Sequence, residues 1–476
     1  MASAGVQLRF ETDADSVDEG ELELLEVRGH QRLSSLYEYE LTLQTRTDGG
    51  LGPERVDELL GRRCSVRHGT SAQCDLHGIL RAIELVPTHE EGIVAYRATL
   101  APRLWNTTLH RSSQVFQDMG APDIIAAVLG EDGLGGAFSN ELTGSYPSRT
   151  FTAQYRENDF AFISRLMERW GIFYFFEQTP DGERLVLADA NAVAQPHPDH
   201  VVIHHSVGDS GQSRDQSIRE VSRRHEVQPE RVEVVDYNYR TPSVPVSGAS
   251  ACDAVTGRGS QVFYGEHAKD GGEASRFASI RAQARMAGRE VYRMSSSVEG
   301  IAPGHRFELA DHVLPQLCRD YLVVGVDHVM RRGANAIEAQ LTAIPLEVPF
   351  RAPITTEWPR IRGFMHGTID GAPGAAAPVD DQGRYLCKIP YDMAGGAASR
   401  WVRMAQSSAG PGYGMHLPLH AGTEVAIVHL DGDPDRPIIV GAIPNPSTTS
   451  PVTAANATQS KIKTRAGILI RFEDDA

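Results

Sequence analysis

Apolar and polar residues alternate along the first hundred positions of the chain. Residues 21–24 and 37–43 change between polar and apolar at every step, and residues 79–86 and 96–100 continue the pattern. Because successive side chains of a strand point to opposite faces, a period of two is typical of strands with one buried face. We therefore expect residues 1 to about 105 to form β-structure.

A period of three to four residues predicts a helix over residues 159–170. Asn158 or Asp159 can cap its start, and Gly171 can end it in the left-handed conformation. The apolar positions that share one face are Phe160, Ile163, Leu166, Met167 and Trp170. The charged residues Arg165, Glu168 and Arg169 lie away from that face. We expect the apolar face to pack against a sheet of the same domain.

The rest of the chain is predicted to be mainly β with a few helices. Two further helices are expected at residues 122–129 and 274–288, and a β-hairpin at residues 172–188 around the turn residues Pro180, Asp181 and Gly182. Strands are also expected at residues 306–309 and 321–326, and residues 230–265 are polar and β-like.

A run of prolines after residue 344 marks a domain boundary. Pro345, Pro349, Pro353 and Pro359 interrupt regular structure there. Beyond this boundary the pattern predicts three segments: a compact β unit at residues 360–445, consistent with a small barrel; a linker of low apolar content at 446–460; and renewed alternation at 461–472.

Net charge, the length of apolar segments and the spacing of cysteines limit the classes of protein to which this chain can belong. Lys and Arg total 46 against 62 Asp and Glu, a net charge of −16, which disfavours a surface that binds nucleic acid or anionic lipid. No run approaches the eighteen or so apolar residues of a membrane helix, and the N-terminus lacks a signal-peptide core, so we expect a protein that begins in the cytoplasm. The five cysteines are scattered, which disfavours a disulfide framework.

An acidic segment near the end of the predicted barrel resembles the start of a calcium loop. Asp431, Asp433 and Asp435 occupy alternate positions, but Arg436 and Ala442 stand where a calcium loop needs Gly and Glu. We predict that the three aspartates shape a strand connection and bind no calcium tightly.

Four histidines lie within nine positions, a spacing that could hold a transition metal: His197, His200, His204 and His205. Adjacent residues of a strand point to opposite faces, which separates His204 from His205, so ordinary structural histidines are the favoured interpretation. The motifs of zincins, nucleophile elbows and phosphate-binding loops are absent or incomplete. We therefore assign no catalytic, cofactor-binding or metal-binding residue, although carboxylate pairs for glycoside hydrolysis stay open.

Two groups of segments resemble the VgrG (valine–glycine repeat protein G) family, the spike proteins of type VI secretion systems. The first group comprises residues 77–79, 96–105, 115–117, 154–175, 303–307 and 321–323. The second group comprises residues 383–384, 401–406, 409–410, 422–425, 431–441 and Asn445, and it is similar to the family's OB-fold domain. The resemblance is collinear over nearly the whole chain.

The resemblance implies a three-part architecture. Residues 1–350 would form a baseplate hub domain with two tail-tube-like β-barrels, residues 358–445 an OB-fold domain, and residues 446–476 a linker and the start of a β-helix spike that is short or missing. The interval before that spike is too short for the lysozyme domain that phage relatives carry there.

The sequence departs from the family's usual pattern at two places. Ser407 and Ser408 replace a common aromatic residue, and residues 417–420 replace a Pro-Arg-Ile motif. These departures leave open the spike of an extracellular contractile injection particle, a phage-tail-like relative.

The function implied is structural and mechanical. The chain would be a homotrimer that caps a hexameric inner-tube protein, contacts baseplate proteins, carries effectors and a PAAR-type tip protein, punctures a target membrane and is itself expelled by the machine. Cofactors, nucleic acid and enzymatic activity are not expected. The alternatives are a tail-associated cell-wall-degrading enzyme and a stand-alone OB-fold binding protein.

Overall fold

The computed structural model describes residues 6–47, 49–68, 75–206, 216–372, 375–392 and 399–474. The chain divides into two compact units. The first unit comprises residues 1–110, 121–146 and 159–356, and the second comprises residues 111–120, 147–158 and 357–476. Two short segments from within residues 1–350 thus group with the C-terminal part of the chain. The domain boundaries expected from the sequence stay a prediction.

The first unit contains most of the strands. Its strands are β1 (Leu8–Thr12), β2 (Glu23–Arg32), β3 (Glu38–Thr45), β4 (Arg63–His68), β5 (Leu76–Val86), β6 (Val94–Ala101), β8 (Phe138–Glu141), β10 (Phe173–Thr179), β11 (Gly182–Ala188), β12 (Gln195–Pro196), β13 (Val202–His204), β14 (Ile218–His225), β15 (Arg231–Asp236), β16 (Val246–Ala251), β17 (Ser260–Tyr264), β18 (Glu290–Ser296), β19 (His305–Ala310), β20 (Asp320–Arg331) and β21 (Glu338–Pro345). The second unit holds β7 (Arg111–Phe116), β9 (Thr152–Asn158), β22 (Phe364–Ile369), β23 (Tyr385–Lys388), β24 (Ser399–Met404), β25 (Ala409–Gly410), β26 (Tyr413–Gly414), β27 (Glu424–His429), β28 (Pro437–Ala442), β29 (Gln459–Lys463) and β30 (Leu469–Glu473).

A 13-stranded sheet forms the frame of the first unit. Ten strands follow one another in the order β1-β4-β5-β6-β3-β2-β20-β21-β18-β14, and β12, β13 and β19 join beside β20. The antiparallel pairing of β2 with β20 therefore connects strands from the start of the chain to strands after residue 290. The core beside β20 is mainly aliphatic and includes the rings of Tyr292 and Tyr321, which meet edge to face at 4.8 Å.

The expected helices are present, with one more at the N-terminal side. They are α1 (Pro53–Leu59), α2 (Ala121–Glu131), α3 (Asp159–Trp170) and α4 (Gly271–Ala287). The expected hairpin is also present as β10 and β11, which pair in register from Phe173 opposite Ala188 to Thr179 opposite Gly182. Gly171 ends α3 at a φ of 70°, the left-handed geometry that a residue without a Cβ adopts at low cost.

The environment of α3 differs from the expectation in three ways. Its nearest elements are α2, α4 and the 3-10 turn Arg103–Thr108 rather than a sheet. Phe160 is half-buried, whereas Phe162 is fully buried. Arg165 and Glu168 are buried although both lie away from the apolar face. The helix is enclosed on more than one side, because Thr355 and Thr356 cover part of its polar face and pair with Glu168.

Helix α4 lies close against the three-stranded sheet β16-β15-β17. Asp270 caps the helix by accepting a hydrogen bond from the Glu273 backbone. Gly248 on β16 permits the close approach, since a Cβ there would lie 2.1 Å from the Ser275 backbone nitrogen. The same sheet leaves Val262 and Tyr264 of β17 exposed.

The second unit is built around a closed barrel. Five strands close it in the order β22-β23-β24-β28-β27, and its interior holds Ile369, Tyr385, Cys387, Val402, Val425, Ile427 and Ile439. Strands β7 and β9 pair with each other, and Tyr155 of β9 packs edge to face on Tyr391 at 5.1 Å. The small barrel predicted for residues 360–445 is therefore present, and the mainly β fold class is confirmed.

Candidate functional surface

The last two strands form a two-stranded ribbon with two chemically different faces. β29 and β30 pair antiparallel, with Ile462 opposite Ile470 and Lys461 opposite Arg471. Directly opposed residues share a face, so Ile462, Ile470 and Phe472 lie together on one side of the ribbon. The alternation expected at residues 461–472 thus forms an amphipathic hairpin, which we call the terminal ribbon.

The apolar face of the terminal ribbon is open to solvent. Ile462 is 44% exposed, Ile470 is 51% exposed and Phe472 is 63% exposed. A two-stranded hairpin is marginally stable in water by itself, and it gains stability when a third element covers its apolar face. A contiguous exposed apolar face therefore marks this ribbon as a surface for association.

The opposite face of the terminal ribbon is held by polar contacts. Glu473 accepts hydrogen bonds from Thr458 Oγ1 at 2.8 Å and Gln459 Nε2 at 2.6 Å. These hydrogen bonds hold the pKa of Glu473 below its usual range. Lys461 Nζ donates to the carbonyl of Pro451 at 3.5 Å, which ties β29 to the preceding segment. Hydrogen bonds of the polar face thus hold the ribbon in place, while its apolar face is left exposed.

Other large apolar side chains of the second unit are also exposed. They are those of Phe364, Trp401, Tyr413, Met415 and Leu417. A Cβ on Gly410 would lie 2.3 Å from the Tyr413 ring, so this ring lies directly over the glycine.

The acidic segment at residues 431–435 connects two barrel strands. Asp433 Oδ1 accepts from the Asp435 backbone at 2.9 Å, and Asp435 Oδ1 accepts from the Ala153 backbone of β9 at 2.7 Å. Asp431 adopts a φ of 54°, as short polar residues in turns do. The segment is a strand connection between β27 and β28, as predicted, and the absence of tight calcium binding stays a prediction.

The four clustered histidines are divided among three separate environments. His197 is buried; its Nε2 pairs with the Glu299 carbonyl at 2.9 Å and its Nδ1 accepts from the His200 backbone. His204 Nδ1 pairs with Asp311 at 2.6 Å, whereas the His205 ring lies against that of His312 at 4.3 Å between centroids. The four imidazoles do not converge on one point, and both nitrogens of His197 already have partners.

The alternation of residues 461–472 predicts strands, but it does not single out Ile462, Ile470 and Phe472 as a surface. Alternation shows which residues of one strand share a face. It does not give the register that places Ile470 opposite Ile462, because this register depends on the length of the turn between the strands.

Comparisons with known proteins identify the family of this chain. Residues 30–334 match the family described as "Phage tail baseplate hub (GPD)", and residues 376–443 match the "Type VI secretion system/phage-baseplate injector OB domain". Among the described residues, none of the helices is both long enough and apolar enough to cross a membrane.

Two similar relatives are spike proteins of Pseudomonas aeruginosa. The type VI secretion system spike protein VgrG1b is 30% identical over 466 residues, which cover 94% of this chain and 62% of that protein. VgrG1a is 30% identical over 463 residues, which cover 93% of this chain and 71% of that protein. The chain thus spans about two thirds of the length of these relatives.

A solved structure shares the fold. The E. coli c3393 protein, a component of the type VI secretion system, is 20% identical, with a TM-score of 0.69 over 91% of this chain and 100% of that one. A match to the hub family covers more than half of the chain, and the spike relatives match along almost all of it. The chain therefore belongs to the VgrG family of type VI secretion system spike proteins.

Proposed function

We propose that this protein is the homotrimeric hub and spike at the tip of a contractile injection machine. It caps the inner tube, carries effectors and is pushed through a target membrane when the machine contracts. Its family membership supports this role, and the open apolar face of the terminal ribbon is the observation that carries it.

The terminal ribbon fits a three-fold assembly. Three ribbons arranged around an axis would turn Ile462, Ile470 and Phe472 inward and leave Lys461 and Arg471 at the surface. Each copy would then supply the cover that the ribbon of its neighbour lacks. In a closed ring of three, the apolar face of every copy is covered in the same way. No uncovered face is then left for open-ended association. The ribbon is in this proposal the first turn of a β-helix spike.

The hub is proposed to match a six-membered tube. Residues 1–350 carry two tail-tube-like subdomains, so three chains present 3 × 2 = 6 tube-like units to the hexameric inner-tube protein. The match of residues 30–334 to the phage tail baseplate hub family supports this proposal. Residues 358–445 form the OB-fold collar, and residues 446–476 lead into the spike.

The remaining partners follow from the same role. Baseplate proteins surround the hub, and a tip protein of the PAAR type closes the spike. The protein assembles in the cytoplasm and leaves the cell through the machine.

The protein is proposed to act without catalysis, so incubation with peptidoglycan is expected to release no fragments. The release of soluble fragments would favour the cell-wall-degrading alternative.

The test of the trimer uses variants of the terminal ribbon. Wild-type protein is expected to have three chain masses by light scattering. The double variant Ile470→Asp/Phe472→Asp places two carboxylates in the proposed trimer interior and is expected to have one chain mass. Because both side chains are exposed in the single chain, the circular dichroism spectrum of the variant is expected to stay unchanged.

The matched control lies on the same strand and the other face. Arg471→Gln removes a charge from the polar side and is expected to keep three chain masses. A wild-type protein that is monomeric at every concentration would contradict the trimer, and a double variant that stays trimeric would exclude the terminal ribbon as the contact.

A further inference from the structure

Three titratable side chains meet where two helices of the first unit come together. Asp132 follows the end of α2, Asp159 begins α3, and His110 lies just before β7. The backbone nitrogen of Asp159 donates to the carbonyl of His110 at 3.1 Å, which fixes the two segments side by side. Residues far apart in sequence are thus brought to one point by the packing of α2 on α3.

The three side chains converge through their ligand atoms. His110 Nδ1 contacts Asp132 Oδ1 and lies 3.9 Å from Asp159 Oδ2. The nitrogen and the two carboxylate oxygens all lie within 4.8 Å of one another. The Asp132 side chain is 1% exposed and that of Asp159 is 9% exposed, whereas the His110 side chain is 64% exposed. The site is therefore closed on the carboxylate side and open to water on the imidazole side.

The Asp132 carboxylate is unfavourable as an isolated anion. Its Oδ2 has no hydrogen-bond partner in the described part of the chain, although it is buried. It also stands at the C-terminal end of α2, where the helix dipole is negative and favours cations. A buried carboxylate in this setting calls for a positive charge beside it.

We propose that His110, Asp132 and Asp159 bind one divalent transition-metal ion of the Zn²⁺ class. A dication balances the negative charges of the two carboxylates and accepts a neutral imidazole as the third ligand. One nitrogen and two carboxylate oxygens with an open fourth position match the ligand types and number of an accessible zinc site. Ca²⁺ fits less well, because it takes six to eight oxygen ligands.

The ion would join two parts of the first unit. It would link the end of α2 to the start of α3. It would also link His110 to Asp159, the two residues that flank the segment 111–158. Because the ligands come from three separate stretches of chain, bound metal would stabilise the folded state over the unfolded state.

The test is a zinc titration of the full chain after treatment with a chelator. Calorimetry is expected to show one Zn²⁺ per chain, and added Zn²⁺ is expected to raise the thermal unfolding midpoint. Asp132→Asn and His110→Gln are each expected to weaken zinc affinity about 100-fold or more. Loss of a residue that only hydrogen-bonds to a ligand usually weakens metal affinity by about 10–100-fold. Since His110 is exposed, His110→Gln is expected to fold normally.

The control is a second pair of histidine and aspartate. His204 pairs with exposed Asp311 at 2.6 Å, so His204→Gln is expected to leave zinc binding unchanged. The absence of an equimolar zinc site, a site that survives His110→Gln, or a site that His204→Gln abolishes would each overturn the proposal.

Discussion

The carboxylate of Glu168 ties α3 to the end of the first unit. It accepts four hydrogen bonds, from the backbone nitrogens and the hydroxyls of Thr355 and Thr356, at 2.8–3.1 Å. A buried charge is tolerated when several donors converge on it. The charged side of the helix is therefore a structural contact rather than a solvated face.

Truncation of this carboxylate is expected to destabilise the first unit. Glu168→Ala leaves the donors of Thr355 and Thr356 unpaired, which should lower the free energy of unfolding by about 3 kcal/mol. Glu177→Ala is the control, because Glu177 pairs with exposed Arg184 on the hairpin and should cost less than about 1 kcal/mol. Chemical denaturation measures both, and equal losses would contradict the role given to Glu168.

Buried histidines make stability depend on pH. Burial lowers the pKa of His68 to about 3 and that of His328 to about 4, while both titrate near 6.5 in an unfolded chain. Between these values the unfolded state binds more protons than the folded state. The free energy of unfolding should therefore fall as the pH drops from about 6.5 towards 4.

The variant His68→Gln is expected to reduce this pH dependence. At pH 5, relative to pH 7, the variant should lose about 2 kcal/mol less stability than wild type, since one pKa unit corresponds to about 1.4 kcal/mol. His89→Gln is the control at an exposed position and should leave the slope unchanged. Denaturation curves at several pH values decide this, and parallel slopes for wild type and His68→Gln would contradict it.

At the scale of elements, α3 is a largely buried helix of the first unit. Its Trp170 packs edge to face on Phe277 of α4 at 5.3 Å, and Leu166 is 4% exposed. Leu166→Ala should therefore cost about 2–5 kcal/mol, as truncations of buried leucines do. Leu85→Ala, at a position that is 66% exposed, should cost less than about 0.5 kcal/mol. An unchanged denaturation midpoint for Leu166→Ala would show that this helix face is not core.

Local pattern predicts elements better than it predicts their neighbours. The limits of α3 and the β10–β11 hairpin follow from spacing, capping and turn residues within a few positions. The burial of Glu168 depends on Thr355, which lies far away in sequence, so periodicity alone places it on the outside. The same holds for His110, Asp132 and Asp159, since no local motif connects them before α2 packs on α3.

At the scale of the whole molecule, one chain combines a large mixed sheet, a closed barrel and a terminal ribbon. In the role proposed above, the sheet would face the tube, the barrel would form the collar, and the ribbon would start the spike. The ribbon is the part whose apolar face is incomplete in a single chain. The proposed function therefore depends on trimerisation.

A reconstruction of the assembled protein by electron microscopy tests that claim most directly. We expect a closed three-fold ring in which each chain contributes two tube-like subdomains, so that the face towards the tube has six similar units. The three terminal ribbons should meet on the axis with Ile470 and Phe472 turned inward. A two-fold assembly, or a ring with one tube-like subdomain per chain, would contradict both the architecture and the proposed function.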